Sequence, residues 1–322
     1  MKASMHALKA RLKHPRALGV ACATTATGLG LLYMAAAGAP AIYLAVNALS
    51  LVLGLALFAL IRPTALTTRL SGGVLVVLGS LLFATALFGA SVDGATRWVR
   101  VAGLSLQISL VVLPAMLVAF ARGRDLVGTI GMILAAVALA LQPDRAMAGV
   151  LVAALAVLAM VRPDRWVVST LVVAIAAFTT TLLRPDSLPA VPYVDQILYT
   201  SFQVHALAGF AVVGGALLLI LPAVLGLRLD LENREVQAVF GTLWLGMVAA
   251  AALGNYPTPV VGYGGSAILG YALSLSFMPG TVRSAAVGGK RVEDAAPTDT
   301  TSHPDRRVGV EHGGAPEASG GF

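Results

Sequence analysis

Runs of apolar residues separated by short polar segments occupy positions 17–37, 41–61, 72–90, 104–121, 126–141, 146–161, 166–183, 198–226, 236–254 and 260–278. A bilayer core is crossed by about 20 apolar residues in helical form, with about 17 as a lower limit. The pattern therefore predicts an all-α, polytopic membrane helix bundle of about ten transmembrane helices. The fifth and sixth runs are short and divided only by Gln142-Pro-Asp-Arg145, so a helical hairpin that stops short of crossing is the alternative for that pair.

Composition agrees with the pattern: of 322 residues, 58% are hydrophobic and 11% charged, and the mean hydropathy is +0.86, values outside the soluble globular range. A net charge of +7 raises the question of nucleic acid, but the basic residues stand singly or in pairs between apolar runs and form no basic face. Topology accounts for them. With a cytoplasmic N-terminus, 18 of the 22 Lys and Arg fall on the cytoplasmic side, leaving Arg97, Arg100, Arg145 and Arg184 outside. That asymmetry supports an even number of spans with both termini cytoplasmic. The expected organisation is a basic cytoplasmic N-terminus at 1–16, a ten-helix transmembrane domain at 17–280, and a disordered cytoplasmic tail at 281–322, where composition turns to Gly, Ala, Pro and charged residues without periodicity. The first run, with Ala35-Ala-Ala-Gly-Ala39 behind it, is longer than a cleavable apolar region and reads as a signal anchor.

The single cysteine, Cys22, excludes a disulfide framework within the chain. No paired carboxylates or His cluster suggests a metal, and no Gly-rich phosphate loop suggests a nucleotide; no cofactor is expected. The distinctive chemistry lies in the outer segments. Pro257-Thr-Pro-Val-Val-Gly-Tyr-Gly-Gly-Ser266 sets irregular backbone at a membrane edge, where it must be buried in protein or line a watery cavity. Arg97 and Trp98 join a cation to an interfacial aromatic, suited to a headgroup phosphate or to simple anchoring. Gln107 and Ser109 fall inside the fourth run, where polar groups turn to the bundle interior. Asp144 is placed to cap the sixth helix. Asp195, just before the eighth run, is a carboxylate that partial desolvation would suit to general-base work, or a solvated loop charge. His205, inside that run, is either a functional group or an interhelical hydrogen-bonding residue.

Four segments resemble the SEDS family (shape, elongation, division and sporulation), the FtsW/RodA/SpoVE-type membrane polymerases of peptidoglycan. Gly94-Ala-Thr-Arg-Trp98, followed by Gly103 and Gln107-Ile-Ser109, is similar to the family's Gly-Ala-Arg-Arg-Trp stretch leading into Gln-Pro-Ser-Glu. Leu141-Gln-Pro-Asp144 resembles its Gln-Pro-Asp segment, and Pro189 to Asp195 with Ile197 resembles the segment carrying its proposed catalytic aspartate. Pro257 to Ser266 resembles the Pro-x-Pro-x-x-Ser-Tyr-Gly-Gly-Ser signature and is the most specific match. The departures fall in the same segments. Only about 14 residues separate Leu183 from Leu198, where the family has a long loop; Ile108 and Leu110 replace its Pro and Glu, Arg145 replaces an apolar residue, its paired glutamates are missing with Gln203, Val204 and His205 nearby instead, and Gly262 replaces its Ser.

The resemblance implies glycosyl transfer on lipid II at the outer face of a bacterial inner membrane. It assigns Asp195 as the base and Arg97 and Arg184 as partners of pyrophosphate charge. Trp98, Gln107, Gln142, Asp144, Pro259, Tyr263, Gly264, Gly265 and Ser266 then shape the substrate cavity. It also implies a class B penicillin-binding protein as partner, in cell shape or division. Two alternatives stay open: a non-catalytic carrier-binding or scaffolding protein, and a flippase or transporter of a lipid-linked substrate.

Overall fold

The computed structural model describes residues 15–61, 71–92, 94–101, 103–184 and 188–280. The 281–322 tail and nearly all of the 1–16 segment lie outside these residues, as do Arg62 and Arg69. Helices α1 (Pro15–Ala36), α2 (Ala41–Leu60) and α3 (Ser71–Phe88) are followed by strands β1 (Ala90–Val92), β2 (Ala95–Val101) and β3 (Leu104–Gln107). Then come α4 (Ile108–Arg122), α5 (Leu126–Leu141), α6 (Arg145–Val161) and α7 (Arg165–Leu182). The chain continues with α8 (Ile197–Val204), α9 (Ala206–Leu218), α10 (Leu221–Leu229), α11 (Arg234–Leu253) and α12 (Gly265–Ser276).

Every predicted run is occupied by helix. Among the described residues five helical spans suffice by length and composition to cross a membrane, Ala206–Leu229 being taken as one, and five shorter apolar helices fill the remaining runs. The result is a polytopic membrane helix bundle. At its centre α4 is buried almost continuously from Val112 to Ala121, with Leu113, Met116 and Phe120 wholly enclosed, and α12 is buried along nearly its whole length. With lipid as apolar as the side chains, such helices are held by close packing and small residues. Gly79 of α3 meets Gly131 of α5 so closely that a Cβ on Gly79 would collide with the Gly131 carbonyl oxygen, and a Cβ on Gly270 of α12 would collide with the Leu110 carbonyl oxygen of α4.

Basic residues separate between the two ends of the bundle. At one end Arg16 Nε donates to Met278 O (2.5 Å), Arg122 to Phe277 O (2.9 Å), and Arg124 and Arg162 pair with Asp164 and Glu235, each at 2.8 Å. At the other end Arg145 Nη2 donates to the Arg184 carbonyl oxygen at 2.9 Å, and Arg97 reaches the α5–α6 turn.

Three boundaries differ from the sequence reading, each for a local reason. Residues 104–107 do not begin the fourth span; they pair antiparallel with β2, Trp98 opposite Gln107 and Arg100 opposite Ser105, across a turn containing Gly103 at φ +81°. Gln107 therefore ends a strand and precedes α4, although Ser109 is in the helix. The eighth span is broken at His205, whose extended backbone separates α8 from α9 and whose Nδ1 accepts from Leu207 N–H at 3.2 Å. His205 is an exposed helix cap, not an interior group. The tenth run is helical only from Gly265; Val260 and Val261, 1% and 0% exposed, belong to a buried irregular loop, the arrangement that backbone at membrane depth requires.

Candidate functional site

At the Arg97 end of the bundle, the β2–β3 hairpin, the α5–α6 turn, the loop before α8 and the loop before α12 enclose a cavity of about 450 Å³, within the range of small-molecule sites. Of the residues singled out in the sequence, Arg97, Trp98, Gln107, Asp144, Asp195, Tyr263, Gly264 and Ser266 line it. Arg97 and Asp195, nearly a hundred positions apart, thus open into one space. Gln142, Arg184, Pro259 and Gly265 are not among its lining residues. Gln142 is buried and donates its Nε2 to Leu82 O at 2.9 Å, Arg184 is exposed beyond the α7 end, Pro259 is buried inside its loop, and Gly265 packs against Ser50 of α2.

Asp144 is the anchor of the cavity floor. It is 1% exposed and caps α6, its Oδ1 accepting from Met147 N–H at 3.3 Å. Its Oδ2 accepts from Ser109 Oγ (2.7 Å) and Gln107 Nε2 (3.1 Å), and Gln107 N–H donates to Ser266 Oγ at 3.0 Å. One carboxylate therefore ties β3, α4 and α6 together, and Ser266 brings in α12. Arg97, 4% exposed, donates through Nε to Gln142 O at 3.3 Å and through Nη2 to Pro143 O. These bonds hold the hairpin to the α5–α6 turn.

Asp195 lies on a tight loop in which its Oδ2 accepts from Val191 N–H at 2.8 Å. Its other oxygen, Oδ1, is buried with no hydrogen-bond partner among the described residues. Burial raises the Asp195 carboxyl above the ordinary carboxylate value, opposed by the Val191 hydrogen bond. Asp195 and Pro257 form an antiparallel bridge, extended by Thr258 N–H to Val194 O (3.0 Å) and Tyr263 N–H to Tyr193 O (2.6 Å). Around this bridge three non-glycine residues take left-handed backbone: Tyr193 (φ +64°), Gln196 (φ +57°) and Val260 (φ +67°). Such conformations cost on the order of 1–3 kcal/mol each and persist where surrounding bonds over-determine them.

The loop before α12 is held from the side by α2. Asn47, fully buried, donates Nδ2 to Gly262 O (2.8 Å) and accepts from Gly264 N–H (3.0 Å), while Tyr43 stacks on Tyr263 at 3.7 Å between ring centroids. Gly264 sits at φ +145°, open to glycine and strained for any other residue. A Cβ on Gly262 would lie 2.9 Å from Thr258 O and 3.2 Å from Tyr193 O. The loop is thus drawn too tightly against the Asp195 segment for a serine there, which accounts for that departure.

Arg100, Ser105, Tyr256 and Thr258 also line the cavity and were not singled out in the sequence. Arg100 and Ser105 are cross-strand partners, and Arg100 is exposed two residues beyond Trp98. The signal for it was the period of two along a strand, hidden while the region read as membrane edge. No group of His, Cys, Asp and Glu suited to a metal occurs among the described residues.

No protein-family model and no curated protein sequence matches the chain. Solved structures do. The crystal structure of the Thermus thermophilus rod shape determining protein RodA matches with a TM-score of 0.57 at 22% identity, over 80% of this chain and 93% of that one. A crystal structure of an aspartate-to-alanine mutant of the same protein matches with a TM-score of 0.59 at 21% identity, over 80% and 94%. The likeness extends over nearly the whole of the solved protein, so the chain has the fold of RodA.

Proposed function

We propose that this is a multi-pass inner-membrane protein of cell-wall assembly, with both termini cytoplasmic, whose cavity opens outward and takes an undecaprenyl-linked sugar such as lipid II. The observation that carries the reading is the meeting of Asp195 with Arg97 and Arg100 in one cavity. In the proposed reaction Asp195 accepts the proton of the acceptor sugar's 4-hydroxyl. That oxygen forms a bond to the anomeric carbon of the donor as the bond to pyrophosphate breaks, with inversion, and the electron pair leaves on undecaprenyl pyrophosphate. A carboxyl raised by burial suits a general base. Because Arg97 is committed to the α5–α6 turn and Arg184 lies off the cavity, Arg100 is the better cation for the pyrophosphate, with Arg97 setting the wall behind it.

A non-catalytic carrier-binding role is the second reading. It is favoured by the short loop before Asp195, which closes Oδ2 onto Val191 N–H. The two separate in one experiment. Purified protein, alone and with candidate class B penicillin-binding proteins, is supplied with lipid II. Glycan polymer that disappears in Asp195→Ala supports the enzyme. Polymer that persists in that variant overturns the assignment of the base, and lipid II binding without polymer from any pairing establishes the carrier-binding role.

A further inference from the structure

Arg16 and Arg122 meet beyond the end of α12 that lies away from the cavity, one from the first turn of α1 and the other from the last turn of α4. They are anchored on successive carbonyls: Arg16 Nε donates to Met278 O at 2.5 Å and Arg122 Nη1 to Phe277 O at 2.9 Å. The guanidiniums stand near enough for Arg122 to act on Arg16 by repulsion. No carboxylate pairs with either among the described residues. Of the acids at this end, Asp125 caps α5 through Gly128 N–H, Asp164 pairs with Arg124 and Glu235 with Arg162. The α12 terminus offers about half a negative charge; the α4 terminus at Arg122 offers the same, and the α1 N-terminus at Arg16 cancels it. Roughly one and a half positive charges therefore stay uncompensated at one spot. Each guanidinium has five N–H donors and spends one on a carbonyl, so most of each fork is open to an anion.

We propose that Arg16 and Arg122 form a clamp for the phosphate of an anionic phospholipid in the leaflet at that end of the bundle. A planar guanidinium matches two phosphate oxygens at once, and a pair held on neighbouring carbonyls is set in place before the ligand arrives. Leu60, Leu126 and Val127 are exposed at the same end, where acyl chains cover them. A free phosphate would use the cations alone, whereas a lipid uses both surfaces; basic sites between helices at the cytoplasmic face hold such headgroups in this way. The bound lipid joins α1, α4 and α12 at one end, while Ser109 and Ser266 tie α4 and α12 into the cavity floor at the other. The site is independent of the reaction proposed for the cavity.

The test titrates the purified full chain in detergent with phosphatidylglycerol, phosphatidylcholine or inorganic phosphate. Bound lipid is counted by native mass spectrometry and melting is followed alongside. Phosphatidylglycerol should bind saturably and raise the melting temperature, with neither phosphatidylcholine nor phosphate matching it. Arg16→Gln and Arg122→Gln should each weaken that binding about 5-fold, the contribution of one cation at a membrane surface. Arg162→Gln, which removes a cation of the same end that is paired with Glu235, should leave it unchanged. Equal binding of phosphatidylcholine, or an equal rise with phosphate alone, overturns the assignment to an anionic lipid. Equal weakening by Arg162→Gln shows general attraction to a basic surface and overturns the clamp. Arg16 is partly buried and its variant can fail to fold; Arg122 is exposed, and unchanged affinity in Arg122→Gln overturns the proposal by itself.

Discussion

Replacing Asp144 by alanine tests whether one buried carboxylate holds the cavity floor. The change removes the α6 cap, worth about 1 kcal/mol. It also strips the acceptor from Ser109 Oγ and Gln107 Nε2, which are 0% and 7% exposed as residues. Hydrogen bonds to a charged acceptor contribute about 1.5–3 kcal/mol each. Because the bonds share one group they do not add fully, and the expected loss is about 3–5 kcal/mol. Asp125 provides the comparison: it caps α5 through Gly128 N–H at 2.6 Å at the far end of the bundle, so Asp125→Ala should lose only about 1 kcal/mol. Reversible unfolding in mixed detergent micelles measures both. A Ser109→Ala, Asp144→Ala double-mutant cycle should give a coupling of about 1 kcal/mol or more. If Asp144→Ala costs no more than Asp125→Ala, or the cycle shows no coupling, the network does not bind the elements together and Asp144 is no more than a helix cap.

Other outcomes follow from the same geometry. Since burial raises the Asp195 carboxyl above its ordinary value of 3.8, protonation favours the folded state. Its contribution to stability is present below 3.8 and is lost as pH rises through the raised value. Asp195→Asn should flatten that part of the stability profile, and polymer formation by the unsubstituted protein should rise over the same interval. A parent whose stability increases through it would contradict the assignment. Asn47→Leu leaves the Gly262 carbonyl and Gly264 N–H without their partner; at about 1–3 kcal/mol per buried group, the loop should become cleavable by protease while α2 remains helical. Gly270→Ala forces α12 from α4, because the added carbon would collide with Leu110 O. It should lower thermal stability by about 1–3 kcal/mol, whereas Gly28→Ala, with nothing within 4 Å of the added carbon, should not.

The bundle was legible because each helix must present apolar residues to lipid, and that demand writes itself into runs. The convergence of Arg97, Asp144, Asp195 and Tyr263 followed from placing four loops at one end. Direction was not legible. Whether a loop cation faces the cavity depends on how the loop closes, which is why Arg184 fell outside it and Arg100 inside. The hairpin escaped notice because Leu104 to Gln107 runs without a break into the apolar residues of α4, and only pairing with β2 decides its conformation.

Tyr43 and Asn47 belong to α2, a helix only 17% buried over its apolar window. The loop that closes the cavity beside Asp195 thus hangs from a helix that packs on α1 and α12 and leaves Ile42, Leu49, Val52, Leu53 and Leu60 exposed, apolar side chains suited to lipid. Membrane thickness and lateral pressure act directly on such a helix, and its tilt is carried by the stacked tyrosines and the paired amide bonds to the backbone opposite Asp195. The bilayer is in this sense a structural component of the site, and its composition becomes a variable to control in any measurement made on the purified protein.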